Sequence, residues 1–181
     1  KGQMRAVFLA LPLVLGLTAP AQAHPHVFID AGLEVVFDAQ GRAEGVRVRW
    51  TYDELISLTF VTERGLDSDF DGGLTDAEKA QLNGFDMEWH AAFEGDTYAL
   101  LGETPLTLSR PEAWTADYVA GQVTSTHYRR FDAPVDLGGA ALVFQSYDPG
   151  YYTAYAVDDA RVTGREGCVV EIFEPDREAA D

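Results

Sequence analysis

A run of twelve residues from Asp67 to Glu78 constrains this chain more than any other segment. Oxygen-bearing residues occupy positions one, three, five, nine and twelve of the run, and glycine stands at position six, where a calcium-binding loop turns sharply. An exposed loop rich in Asp and Gly is the ordinary alternative, but it does not account for this spacing or for apolar Leu74 at position eight. The spacing predicts a calcium site formed by Asp67, Asp69, Asp71, Gly73, Thr75 and Glu78.

The segments on either side of this acidic loop favour helices. Asp53 can cap a first helix, and a second helix is predicted from Thr75 onward, although Asn83 and Gly84 can break it. The order of helix, acidic loop and helix predicts an EF-hand-type helical hairpin inserted over residues 53–91. Sensor EF-hands open a Met-rich groove, and the sequence holds only two methionines. The calcium is therefore predicted to stabilise the fold rather than to act as a switch.

The remainder of the chain is rich in short, strand-like segments separated by Gly, Pro and Asp. Residues 26–52 predict a β-hairpin with its turn at 38–41. The predicted fold class is α+β, an antiparallel β-sandwich or barrel-like sheet with the helical hairpin inserted after the second strand. Cys168, the single cysteine, is interpreted as a buried apolar residue of the last strand, and it excludes a disulfide within the chain. Later strands are predicted at residues 98–101, 106–109, 122–131, 141–147, 152–157 and 168–173.

The amino-terminal segment has the layout of a secretory signal peptide. Lys1 and Arg5 precede an apolar run over residues 6–17, and small residues lead to a predicted cleavage site after Ala23. The prediction is a signal peptide at residues 1–23, a single mature domain at 24–181 and a periplasmic location. An uncleaved membrane anchor is the alternative, and it would also place the domain outside the cytoplasm.

The charge of the chain bears on its partners. Lys and Arg number 13 against 30 Asp and Glu, which gives a formal net charge of −17. Because such a surface repels phosphate backbones, nucleic acid is not an expected partner, whereas divalent cations or a basic protein face are better candidates. No nucleophile motif or paired acid and base stands out, and the chain is predicted not to be an enzyme.

Cleavage after Ala23 would create a metal-chelating amino terminus. The free amine and ring nitrogen of His24 can bind one ion, and His26 can add a third nitrogen, a set suited to zinc, copper or nickel. Pro25 lacks an amide proton, so a square-planar site using deprotonated backbone nitrogens cannot form in full. A frayed terminus with both rings in water is the alternative. His90 and His127 are further candidate ligands, although a single histidine is more often a packed or solvated residue.

Three segments together resemble a known family. They are residues 24–30 (HPHVFID), the acidic loop, and residues 146–152 (SYDPGYY). The family is the periplasmic component of an ABC-type transport system, also called domain of unknown function 1007. The resemblance covers the mature chain and implies an accessory protein linked with an inner-membrane metal permease of the nickel/cobalt type, with some members implicated in zinc supply. It also gives weight to His24, His26 and Asp148 as metal-site residues.

Two main hypotheses for the function follow. The first is a periplasmic protein that binds calcium in its loop and assists transition-metal transport by a permease. The alternative is a calcium-stabilised interaction module that docks a permease without handling metal itself. A copper enzyme that uses the amino-terminal histidine is a third hypothesis.

Overall fold

The computed structural model describes residues 25–173 and begins with the expected β-hairpin. Its turn is held by the carboxylate of Asp38, which accepts N–H groups from Gln40 and Arg42. These bonds, those from Arg42 above all, hold the pKa of Asp38 below its usual value. The elements of the described chain are β1 (Val27–Phe37), β2 (Ala43–Tyr52), α1 (Glu54–Glu63), α2 (Asp76–Leu82), β3 (Thr97–Leu101), β4 (Thr104–Leu106), β5 (Glu112–Val119), β6 (Gln122–Val135), β7 (Leu142–Ser146) and β8 (Thr153–Thr163).

The larger sheet has five strands in the order β5-β6-β2-β1-β8. Neighbouring strands are antiparallel except β1 and β8, which run parallel from Val27 opposite Thr153 to Val36 opposite Thr163. The sheet is therefore mixed, and the expectation of a purely antiparallel sheet is wrong. The parallel pair arises because β8 reaches the open edge of β1 through a long connection instead of a hairpin turn.

A second sheet of three antiparallel strands, in the order β4-β3-β7, covers one end of the larger sheet. The two sheets share a core of Phe37, Ala43, Ala99 and Phe131, joined by half-buried side chains such as Phe144. Opposed apolar faces of two sheets are the arrangement of a β-sandwich. At this end the molecule matches the predicted sandwich-like fold.

At the other end the sheet is covered by the two helices and the segment that follows them. Asp53 caps α1 by accepting the N–H groups of Leu55 and Ile56, as its position in the sequence predicts. Helix α1 packs on β6 and α2 packs on β5. The core beneath them includes Trp50, Val61 and Leu82, each nearly or fully buried.

The predicted α+β class with an EF-hand-type helical hairpin is wrong. Residues 25–173 are mostly β, with two short helices, of which α2 has only seven residues. The chain leaves the helix at Asn83, and Gly84 follows with φ of 77°, a conformation that suits glycine and breaks a helix. Helix α1 places Ile56, Phe60 and Val61 in the sheet core, and α2 adds Leu82. Leu55 and Leu58 of α1 are exposed.

Two further sequence interpretations are corrected near the carboxyl end. Residues 168–173 form no strand, and Cys168 is exposed, as are Val169 (86%) and Phe173 (79%). The apolar composition favoured a strand, but these residues join neither sheet. In contrast, β5 was not predicted because its exposed and half-buried residues carry little apolar alternation.

Candidate functional site

The acidic loop lies between α1 and α2 and is anchored at both ends. Leu66, just before it, is buried, and Leu74 within it packs on the main core, as the apolar eighth position predicts. The backbone adopts positive φ at Asp67 (52°), Phe70 (57°) and Gly72 (80°). These turns coil the loop tightly, and Gly72 tolerates its conformation because it has no Cβ.

The loop brings three of its predicted ligands together. One carboxylate oxygen from each of Asp67, Asp69 and Asp71 lies within 4.8 Å of the others, and within residues 25–173 this is the only group of three or more His, Cys, Asp or Glu that meets this distance. The Asp67 carboxylate also accepts the N–H groups of Asp71 and Gly72, and Asp71 accepts that of Gly73. The loop is therefore shaped by the same oxygens that would hold a cation.

Glu78, at the last position of the loop, forms a hydrogen bond with Asp67 at the first position. One carboxylate oxygen accepts the Asp67 N–H at 3.1 Å, and the other accepts the N–H and hydroxyl of Thr75, each at 2.8 Å. The bonds from Thr75 are the main reason that the pKa of Glu78 lies below its usual value. Thr75 in turn caps α2 by accepting the Glu78 N–H, which completes a capping box.

The amino-terminal motif meets the tyrosine-rich turn. His24 lies outside the described residues, whereas His26 is described: its N–H donates to the carbonyl of Tyr152 at 2.8 Å, and the two rings lie 5.1 Å apart. The parallel pairing of β1 with β8 creates this contact. Two motifs that are far apart in the sequence thus share one corner of the molecule.

Asp148 has a structural role in that corner. Its carboxylate accepts the N–H groups of Gly150, Tyr152 and Thr153. These bonds close the turn before β8 and engage both carboxylate oxygens. The neighbouring Tyr147 stacks on Tyr98 with 4.5 Å between ring centroids, so the turn is packed as well as hydrogen-bonded.

The three described histidines lie in different surroundings, and the sheet separates His127 from His26. His127 on β6 is fully buried on the core face between Trp50 and Trp89, with ring centroids 4.8 and 5.3 Å away. In contrast, β1 continues from His26 with exposed Phe28, on the opposite face. His90 is exposed in the segment after α2. The described histidines therefore do not form a common metal site.

A layer of buried polar groups surrounds His127, and sequence analysis missed it. Neither ring nitrogen of His127 has a hydrogen-bond partner among residues 25–173, and burial, followed by the charge of Arg129, lowers its pKa to about 3. The alternation of β6 could have indicated the layer, since apolar Val123 and Phe131 bracket it on the same face. The inward polar residues of β6 are Ser125, His127 and Arg129.

Two tyrosine–aspartate pairs belong to the same layer. Tyr52 and Ser125 donate to one oxygen of Asp86, and Tyr155 donates to Asp96 at 2.9 Å. Burial raises the pKa of both carboxyls, that of Asp96 to about 6. It also raises the pKa of both tyrosines well above the usual value. These hydrogen bonds offset part of the cost of burying polar groups.

Comparison with known proteins shows the family. A family model described as a protein of unknown function, DUF1007, matches residues 9–181. The chain belongs to this family. The comparison with curated proteins and the comparison with solved structures each gave no match.

The DUF1007 match spans both the acidic loop and the corner where His26 meets Tyr152. It confirms the family part of the sequence-based resemblance, whereas the link to an ABC-type transport system or a metal permease stays a prediction. Neither helix among residues 25–173 has the length and apolar character needed to cross a bilayer.

Proposed function

We propose that this DUF1007 protein is an exported accessory protein that binds calcium in the acidic loop and assists transition-metal transport by an inner-membrane permease. The observation that carries the calcium part is the convergence of the Asp67, Asp69 and Asp71 carboxylates. The transport part rests on the resemblance of the terminal motifs and on the net charge of −17, which favours cations as ligands. No enzymatic step is part of the proposal.

The spacing of the carboxylates suits calcium. Calcium binds oxygen atoms at about 2.3–2.6 Å, so two ligands on opposite sides of the ion are roughly 4.8 Å apart. The three aspartate oxygens lie within this distance of one another. Glu78 and the carbonyl of Gly73 would complete the set, since calcium takes about six to eight oxygens. Such an ion would link the ends of α1 and α2 and stabilise the fold by mass action.

The calcium prediction is tested best at Asp69. Among the described residues its carboxylate makes no bond that shapes the loop, unlike those of Asp67 and Asp71, so Asp69→Asn should remove a ligand and spare the backbone. We expect the mature chain to bind calcium with a Kd of roughly 10⁻⁴ to 10⁻³ M, and Asp69→Asn to weaken binding about tenfold. Isothermal titration calorimetry measures both values.

The matched control for this experiment is Asp132→Asn, which removes an exposed carboxylate from β6, outside the loop. It should leave calcium binding unchanged. If the wild-type chain gives no calcium-dependent heat and no rise in Tm at millimolar calcium, the loop is only an acidic surface turn and the calcium part of the proposal fails.

The transition-metal part is tested at the amino terminus. Zinc, copper and nickel should bind the mature chain, and His24→Ala and His26→Ala should each lose most of that affinity, because imidazole and amine nitrogens are the expected ligands. His90→Ala should retain it, since His90 belongs to no close group of ligands in the described chain. Competition with a colorimetric chelator measures these affinities.

The interaction-module hypothesis predicts the opposite result at the same residues. If zinc, copper and nickel affinities are unchanged by His24→Ala and His26→Ala, the chain does not capture metal there. Docking of a basic partner surface would then be the better explanation of the excess of 30 acidic over 13 basic residues.

A further inference from the structure

A cleft of about 490 Å³ opens between the segment that follows α2 and the three-stranded sheet. Trp89 and Phe93 line one side, and Tyr98 and Leu106 of the smaller sheet line the other. Two arginines, Arg110 and Arg129, also reach it. The cleft therefore combines aromatic and aliphatic walls with positive charge.

Arg129 is only 4% exposed, yet its charge has no bonded carboxylate. Its guanidinium donates to the carbonyl oxygens of Ser109, Thr97 and Leu108. These bonds use three of the five N–H donors that a guanidinium carries, so two donors remain. Burying a cation without a counter-charge is costly, and an anion in the cleft would reduce that cost.

Arg110 brings a second positive charge to the same place. It donates to the carbonyl oxygens of Trp89, Phe93 and His90, and thereby holds the segment that forms the wall. The guanidinium carbons of Arg110 and Arg129 lie 5.1 and 5.3 Å from the centroid of the Trp89 ring. Burial and, after it, repulsion by Arg110 lower the pKa of Arg129 to about 10.

Several arginines of the described chain form ion pairs, whereas exposed Arg64 and Arg165 donate to backbone carbonyl oxygens. Arg42, Arg49 and Arg130, for example, each pair with a carboxylate at 2.5–2.7 Å. Within residues 25–173 neither Arg110 nor Arg129 forms an ion pair, although acidic residues far outnumber basic ones. Glu94 lies at the exposed rim of the cleft and is the one acidic residue among its lining groups. The charge of Glu94 partly offsets that of Arg129, but no carboxylate bonds to either arginine among the described residues.

We propose that this cleft binds a small organic carboxylate, with its carboxylate on Arg110 and Arg129 and its apolar body against Trp89, Tyr98 and Leu106. Guanidinium groups match the planar geometry of a carboxylate and can bind it through paired hydrogen bonds. Aromatic and aliphatic walls with a few placed polar groups are typical of small-molecule sites, and the volume falls within their usual range. The residues that line the cleft include none from the acidic loop, and His26 is not among them.

Benzoate and benzamide are the probes for this proposal, because they share a ring and differ in charge. Calorimetric titration of the full mature chain should show saturable binding of benzoate and binding of benzamide that is at least about tenfold weaker, as expected for the loss of a charged hydrogen-bonding group. Arg110→Gln should weaken benzoate binding by a similar factor. Arg47→Gln, on the outward face of β2, is the control and should leave binding unchanged.

A second variant, which blocks the cleft, keeps the test valid if Arg110→Gln disturbs the segment that follows α2. Thr107→Trp places a large side chain in the cleft from an exposed position and leaves both arginines in place, so it should abolish benzoate binding while the circular dichroism spectrum stays unchanged. Equal binding of benzoate and benzamide, equal binding of inorganic sulfate, or full binding by Thr107→Trp would each overturn the proposal.

Discussion

The Gly45→Ala variant is expected to lose about 3 kcal/mol of unfolding free energy, because the added methyl group meets backbone that cannot move aside. A Cβ at Gly45 would lie 2.2 Å from the carbonyl oxygen of Arg129 and 2.9 Å from the Cα of Arg130. Both contacts belong to β6, which pairs with β2 in the middle of the larger sheet. Urea denaturation followed by circular dichroism measures the loss.

The control for this variant is Gly32→Ala on β1. Its Cβ would meet the guanidinium of Arg49 at 2.7 Å, but that group ends a flexible side chain and can turn toward solvent. We expect Gly32→Ala to cost about 1 kcal/mol or less. If the two variants were equally stable, the close approach of β2 and β6 at Gly45 would be wrong.

Stability is expected to fall as the pH is lowered from about 6.5 toward 3, through the titration of His127. Its pKa is about 3 in the folded chain and 6.5 ordinarily, so the unfolded chain binds more protons between these values. The stability that depends on neutral His127 is therefore complete above pH 6.5 and is lost on acidification. At about 1.4 kcal/mol per pKa unit, the effect is on the order of 5 kcal/mol.

The buried aspartates change the pH dependence of stability in the opposite direction from His127. Asp96 has a pKa of about 6 against an ordinary 3.8, so the folded chain holds its proton more tightly and gains stability as the pH falls through this range. Asp86 shifts in the same direction. The contribution of His127 is consequently measured as the difference in pH dependence between the wild-type chain and His127→Leu.

Leucine is a suitable replacement because neither nitrogen of His127 has a hydrogen-bond partner among the described residues. The substitution therefore leaves no donor or acceptor without its partner. The unfolding free energy of His127→Leu should depend less on pH between about 3 and 6.5 than that of the wild-type chain. His90→Leu, which alters an exposed ring, should keep the wild-type dependence. Identical pH profiles for the wild type and His127→Leu would contradict burial of a neutral imidazole.

Features with strong local signals could be predicted from the sequence. The hairpin of β1 and β2, the Asp53 cap of α1 and the clustering of three aspartates in the loop each depend on neighbouring residues. Their hydrogen bonds span only a few positions, as in the Asp38 turn. Local chemistry of this kind is what turn and capping patterns encode.

Features that depend on distant packing could not be predicted. Nothing in residues 153–163 indicates that they pair parallel to β1, and the composition of 168–173 favours a strand that does not form. The alternation of β6 could have shown that Ser125, His127 and Arg129 share a face, but not that Trp89 and Asp86 cover that face. The prediction of a helical hairpin was wrong for the same reason, because each helix packs on the sheet and tertiary packing overrides local helix preference.

The parallel pairing of β1 with β8 also sets the order in which the molecule can be assembled. A chain that emerges amino terminus first presents β1 and β2 early, but the partner for the second edge of β1 arrives only when residues 153–163 have followed. During that interval an apolar strand carries unpaired backbone groups, a template for association with other chains. Truncation before residue 153 would make this exposure permanent, whereas truncation after residue 173 would leave the sheet whole.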